Sequence, residues 1–325
     1  MYAEATYHSN DPVTHAAAID GARLEFLRVG GGDFRGRVTH VAFDRVKVVR
    51  GEESLPVIVR SKVPAGRLVA VMIRPGSAPA MRCGNEITSR QIVLAGAGST
   101  VSWRTTGAGQ WGAISFAVDD FLRIGRDLLG RNLVPPAAQL VLTPPAPQIA
   151  RLQRVHDTIC RMSETNPRAI FMPDEAAELE RKLLHAFLAC VRGTDGRETK
   201  ASRQHGQVLA RFEALLEAYP HRPPDMAEIC TTIGVPGRTL RHCCAHHFGI
   251  SPKQYLMIRR LHSARRALLL ATPAPGQIAR IATRFGFFEL GRFSVAYREL
   301  FGELPSATLQ HAPQWPATTP LAHAA

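Results

Sequence analysis

Arg238, Arg241 and His242 stand three and four residues apart, a spacing that gathers side chains on one face of a helix. An arginine offers a planar fork of donors and a histidine one or two ring donors, which suits base edges and phosphate oxygens. That chemistry is recognition of a polyanion rather than bond cleavage. A second set, Glu289, Gly291, Arg292 and Ser294, follows in the same kind of sequence setting. There Arg292 and Ser294 are expected to hold phosphates, while Arg238, Arg241 and His242 are expected to reach bases.

The elements needed to position these residues are legible around them. Asp225 followed by Glu228 has the form of a capping box, and the short helix it opens, Met226 to Ile233, should stop at Gly234. Pro236 and Gly237 then open a helix running to about Phe248, with Leu240 and Cys244 inward and the cationic set outward. Ser251 and Pro252 start a third helix of about 18 residues, roughly 27 Å long, with Leu256, Leu261, Ala264 and Leu268 as its apolar stripe. After TPAPG the unit repeats as Gln277–Phe285, a turn at Gly286, and Glu289–Phe301. Two such helices on a rigid spacer fit successive major grooves, about 34 Å apart on one DNA face.

Between Val208 and Leu309 the chain resembles the DNA-binding domain of the AraC/XylS family. The resemblance rests on R-T-L-R at Arg238, F-G-I-S-P at Phe248, R-R-L at Arg259, R-F-G-F at Arg284, G-R-F-S at Gly291, Y-R-E-L-F-G at Tyr297 and P-S at Pro305. Three positions depart from the family pattern: His242 and Cys244 replace a basic residue and an aromatic, and Val295 stands where an arginine is common. Sequence discrimination is therefore expected mostly from the first unit. The resemblance implies a transcription regulator of catabolic genes that binds double-stranded promoter DNA, responds to a small-molecule effector, meets RNA polymerase and works as a homodimer in the cytoplasm. The alternatives are an architectural DNA binder without an effector, and a β-barrel enzyme fused to a DNA-binding domain.

Charge agrees with a polyanionic partner. The 325 residues carry a net charge of +13, and the stretch from Ala201 onward holds fourteen Arg/Lys against seven Asp/Glu. Such an excess steers polyanions and binds them with strong salt dependence. The longest apolar run, Leu68 to Ile73, is far short of the ~18 residues a membrane span needs, so no membrane partner is expected. The start, MYAEATYHSNDP, lacks the pattern of an export signal. Six scattered cysteines without metal-ligand rhythm suit reduced thiols.

The fold expected is α+β and multidomain. Seven short runs rich in Val, Ile and Phe, starting at Ala22, Arg37, Val46, Pro56, Leu68, Arg90 and Trp111, predict a mostly-β region over 1–145. By the weaker family resemblance this is a cupin-like sensor barrel. A helical connector over 146–195, a linker over 196–206, an all-α domain of two helix–turn–helix units over 207–309 and a disordered tail over 310–325 complete the plan. Met72, Arg74, Trp103 and Trp111 are candidates to line an effector cavity. The stripe Leu179, Leu183, Leu184 and Leu188 either closes the β domain or forms a dimer seam, and its heptad-like steps favour the seam.

Other chemistry finds little support. Cys243 and Cys244 point about 100° apart on a helix and read as structural. His242, His246 and His247 lack a nearby carboxylate, and His8, His15 and His40 are dispersed, so no metal site is expected. Gly30 to Gly32 precede no helix and form a turn, not a phosphate cradle. No catalytic residue and no cofactor is expected.

Overall fold

Alternating burial along β3 (Gly36–Ala42) and β4 (Val46–Glu53) marks strands with one face turned to a core. The computed structural model describes residues 3–19, 23–82, 84–130, 133–136, 139–166, 168, 172–192, 200–219 and 224–310. Of the expected tail over 310–325, Gln310 ends a helix and residues 311–325 lie outside the described residues, as do the start of the expected linker and Cys83. In the larger sheet β3 and β4 are joined by β1 (Ala3–Ser9), β6 (Arg67–Ile73), β9 (Ile92–Ala95), β11 (Gly109–Ala117) and β12 (Gln139–Leu142), in the order β1-β3-β4-β11-β6-β9-β12. The smaller sheet runs β2 (Arg23–Arg28), β5 (Val57–Lys62), β10 (Thr100–Thr105), β7 (Ala80–Arg82) and β8 (Asn85–Ile87).

All pairings are antiparallel. The sheets face each other across a core that includes Phe26, Val38, Val59, Ile73, Val101 and Trp111. Their hydrogen bonding does not close into a single ring. The seven predicted strands are all present. The five unpredicted ones are short or mix polar and charged residues with apolar ones, as in TVSWRT of β10.

The outer face of the larger sheet is also apolar and is covered by helices. These are α2 (Val118–Leu129), α3 (Ala146–Thr165) and α4 (Pro173–Val191); a short α1 (Pro12–Ala17) follows β1. Leu179, Leu183, Leu184 and Leu188 of α4 are all buried in this layer beside Leu68, Ile114, Phe116 and Ile159. The leucine stripe is therefore core and not a dimer seam. Residues of β4, β6 and β11 turn an apolar face outward, and leaving it in water costs more than the heptad-like spacing could gain from a second chain. Arg50 and Arg37 pair with Glu164 at the end of α3, which anchors the helical layer to β3 and β4.

The C-terminal helices begin inside the expected linker. They are α5 (Lys200–Ala218), α6 (Met226–Ile233), α7 (Gly237–Phe248), α8 (Pro252–Leu269), α9 (Gln277–Arg284), α10 (Leu290–Phe301) and α11 (Pro305–Gln310). Leu27 of β2 and Ile58 of β5 share one core with Phe212, Leu240, Phe248 and Tyr255, so the first helical unit rests on the outer face of the smaller sheet. The second unit has its own core around Leu268, Phe293 and Tyr297. Among the described residues no helix is long and apolar enough to cross a membrane.

Candidate nucleic-acid interface

Two local devices fix the first reading helix. Asp225 Oδ1 accepts from the backbone N–H groups of Ala227 (2.8 Å) and Glu228 (2.9 Å), while Glu228 Oε2 accepts from the N–H of Asp225 at 3.0 Å. This satisfies donors that the start of α6 would otherwise leave open. At its end Gly234 adopts φ +68°, a region that costs a side chain strain, and the chain turns directly into α7. On α7, Leu240, Cys243, Cys244, His247 and Phe248 are buried. Pro236, Arg238, Arg241 and His242 are exposed and Gly237 is half-buried, so the predicted set lies together on the outer face.

The far end of α7 is not free. His247 Nε2 lies 3.0 Å from Ser102 Oγ of β10, the His246 ring lies against Gly84, and the Arg104 guanidinium backs Gly249. Burial, with Arg82 and Arg104 nearby, pushes the His247 pKa down to about 3, so this contact is made by a neutral ring. Only the N-terminal half of α7 is thus open to a ligand as large as a duplex. The rings of His205, His242 and His246 gather with centroids 5.4 to 5.9 Å apart. Among the described residues, however, no His, Cys, Asp and Glu group is arranged to hold a metal ion.

The second unit repeats the arrangement. Gly286 takes φ +76°, and Arg260 of α8 donates through Nε to the Phe285 carbonyl at 2.6 Å and through Nη2 to that of Gly286. Glu289, Gly291 and Arg292 are exposed and Ser294 is half-buried. Arg292 Nη1 pairs with Glu289 Oε1 at 2.9 Å, with both side chains largely in water.

The long helix α8 differs from the impression its sequence gives. Of its arginines, Arg260 holds the second turn, Arg259 reaches Glu213 at 3.5 Å, and Arg265 is buried against Asp11, Glu303 and Tyr297. Only Arg266 is exposed. Spacing alone places these arginines off the apolar stripe, but their acidic partners come from distant parts of the chain.

The four effector candidates do not gather. Met72 is buried in the helix-covered core. Arg74 donates to Gln153 O at 3.2 Å and pairs with Asp157, tying β6 to α3. Trp103 and Trp111 are in the core between the sheets, where Trp111 Nε1 donates to Glu53 Oε1 at 2.7 Å. That carboxylate also meets His15 Nε2 at 2.9 Å, and His15 Nδ1 lies 3.1 Å from Ser9 Oγ. The resulting Ser–His–Glu relay has the composition of a hydrolase site, yet His15 is wholly buried and flanked edge-on by Phe26 and Phe34. It serves as a satisfied polar tie between β1, α1 and β4. Cys243 and Cys244 are buried thiols, and burial pushes the pKa of Cys244 up, which disfavours a reactive thiolate.

A cavity that sequence reasoning missed lies elsewhere. It has a volume of about 690 Å³ and opens between α1, β2 and β5 on one side and α5 and α8 on the other. Lys62, Arg260, His262 and Arg266 contribute to its lining, with Ile19, Leu24 and Leu256 among the apolar walls. No local signal could have found it, because its walls come from segments far apart in sequence.

Residues 229–311 match a family model described as a helix-turn-helix domain. The chain is 37% identical over 98 residues to the "Probable thc operon regulatory protein" of Rhodococcus erythropolis, covering 30% of each chain. It is 42% identical over 73 residues to the XylDLEGF operon transcriptional activator of Pseudomonas putida, covering 22% of this chain and 23% of that one. The alignments thus span less than a third of either relative. Among solved structures, the AraC-like transcriptional activator CuxR aligns over 81% of this chain and 95% of its own, at 14% identity and a TM-score of 0.40. ToxT from Vibrio cholerae aligns over 95% and 96%, at 13% identity and a TM-score of 0.30. The C-terminal region therefore holds a helix–turn–helix domain.

Proposed function

We propose that the chain is a sequence-specific DNA-binding transcription regulator whose β-rich half senses a small molecule. The observation that carries this reading is the pair of exposed helix faces, Arg238/Arg241/His242 on α7 and Gly291/Arg292/Ser294 on α10. Each follows a turn glycine, and α8 joins the two units. Arg238, Arg241 and His242 read bases in one major groove, and Arg292, Ser294 and the helix N-termini hold phosphates in the next. RNA polymerase and a second copy of the chain on a two-repeat promoter site belong to the same reading, as does a cytoplasmic location beside the chromosome.

The test is binding of the full chain to a promoter site at rising salt. Affinity should fall steeply with salt, and Arg238→Ala plus Arg241→Ala should weaken specific binding at least tenfold. Binding indifferent to both would remove the reading.

The effector fits the cavity between the β region and the helices better than the interior of the β region. Its walls belong to both halves, so a ligand there has different contacts whenever the halves shift, which is what coupling two sites requires. Its lining carries Lys62 and Arg266, both exposed, while its carboxylates Glu25 and Glu217 are paired with Arg60, and this favours a small organic acid. A thermal-shift screen of such acids checks this, since a ligand of the folded state raises its melting temperature. Lys62→Ala plus Arg266→Ala should abolish the shift.

A further inference from the structure

The two reading helices differ in chemistry at equivalent positions. The first presents Arg238, Arg241 and His242. On α10, Gly291 stands opposite the buried Phe293 and Tyr297, with no other atom within 4 Å of where its side chain would be. Val295, one turn on, is 51% exposed at the centre of the outward face. Arg292 and Arg298, three residues before and after Val295, are exposed on either side of it.

An exposed aliphatic side chain between two arginines is poorly suited to a protein core and well suited to a major groove. There the backbone is anionic while the thymine C5-methyl is the one apolar feature of a base edge. Gly291 lowers the relief of the helix so that Val295 can come close. Resting on the proposed DNA-binding function, we infer that the second unit reads sequence through a thymine methyl group, with Val295 as its specificity-determining residue. Arg292 and Arg298 bind phosphates on either side. One promoter element, under α7, is read by hydrogen bonds, and the other, under α10, by apolar contact with a T-rich step.

The experiment begins by selecting sites from random duplex DNA with the full-length protein, then replaces thymine by deoxyuridine in each half of the selected site separately. Deoxyuridine keeps every hydrogen-bonding group and removes only the methyl. Affinity should fall about fourfold for each contacted methyl in the α10 half, the worth of one buried methylene-sized group. Val295→Ala, at an exposed position where folding is not at stake, should weaken binding to the thymine site and erase its sensitivity to deoxyuridine. Val295→Arg should move the preference at that step from thymine to guanine.

Selected sites without thymine in the α10 half, or affinity unmoved by deoxyuridine there while Arg238→Ala plus Arg241→Ala still abolishes binding, would overturn methyl reading and leave DNA binding intact. Unchanged DNA affinity of Val295→Ala with lost transcription in a reconstituted polymerase assay would overturn it in favour of a polymerase contact. Failure to select any sequence at all would reject the parent reading and this inference together.

Discussion

Arg60 of β5 and Glu213 of α5 form an ion pair, Nε to Oε2, at 2.5 Å, with both side chains more than nine-tenths buried. The pair joins the β region to the first helix of the DNA-binding half. Tyr255 donates its hydroxyl to the same carboxylate, and Arg60 also reaches Glu25 and Glu217 at 2.8 Å each. Two polar groups of this kind leave water only when both arrive, so the contact specifies one way of seating the helices on the smaller sheet.

Removing one partner should therefore be expensive. Glu213→Ala or Arg60→Ala leaves an opposite charge buried and is expected to cost about 3–5 kcal/mol in urea denaturation of the whole chain. Arg60→Met plus Glu213→Leu should recover much of that loss. A single-variant cost below about 1 kcal/mol would mean that the two halves are not held through this pair.

Acid should weaken the fold through its buried histidines. Burial depresses the pKa values of His156 and His247 to about 3 and of His262 to about 4, below the ordinary 6.5. The unfolded chain then binds protons that the folded chain refuses. Their contribution to stability is complete above about pH 6.5 and is lost as pH falls toward 3–4. At pH 5 each costs about 2 kcal/mol relative to pH 7.5. His247→Gln should flatten the stability–pH curve by that amount, and a curve equally steep in the variant would show that His247 is not buried neutral against Ser102.

Leu184→Glu plus Leu188→Glu is expected to give an unfolded product, because both leucines are buried beneath the larger sheet. The milder Leu184→Ala should cost about 2–5 kcal/mol. A folded double variant by near-ultraviolet circular dichroism would restore the stripe as an interface.

The two turn glycines should respond unequally to alanine. At Gly234 a new Cβ meets nothing closer than Arg211 at 3.9 Å, so only the left-handed φ is penalised, about 1–2 kcal/mol. At Gly286 it would also sit 2.6 Å from Arg260 Nη2, the group that holds the turn carbonyls. Gly286→Ala should be the more destabilising by thermal melting, and an equal effect would indicate that the arginine swings aside freely.

Local rules in the sequence determined much of this protein. Asp225 with Glu228, the glycines at 234 and 286, and the buried spacing of Leu240 and Cys244 specify the helix–turn–helix units, because caps, left-handed turns and helical periodicity act over a few residues. The same rules placed Arg238, Arg241 and His242 on an open face. What only the tertiary structure decided depends on partners distant in the chain. Leu184 and Leu188 read somewhat better as seam than as core until the sheet beneath them is seen, since periodicity reports an apolar face and not what covers it. Trp103, Trp111, Met72 and Arg74 looked like pocket residues by type, but the pairing of strands sends them into separate cores and an ion pair. The arginines of α8 stand off its apolar stripe in sequence, yet Asp11, Glu213 and the carbonyls after α9 hold three of them inward. The cavity between the halves has no sequence signature for the same reason: its walls are brought together only by long-range packing, which periodicity and capping do not encode.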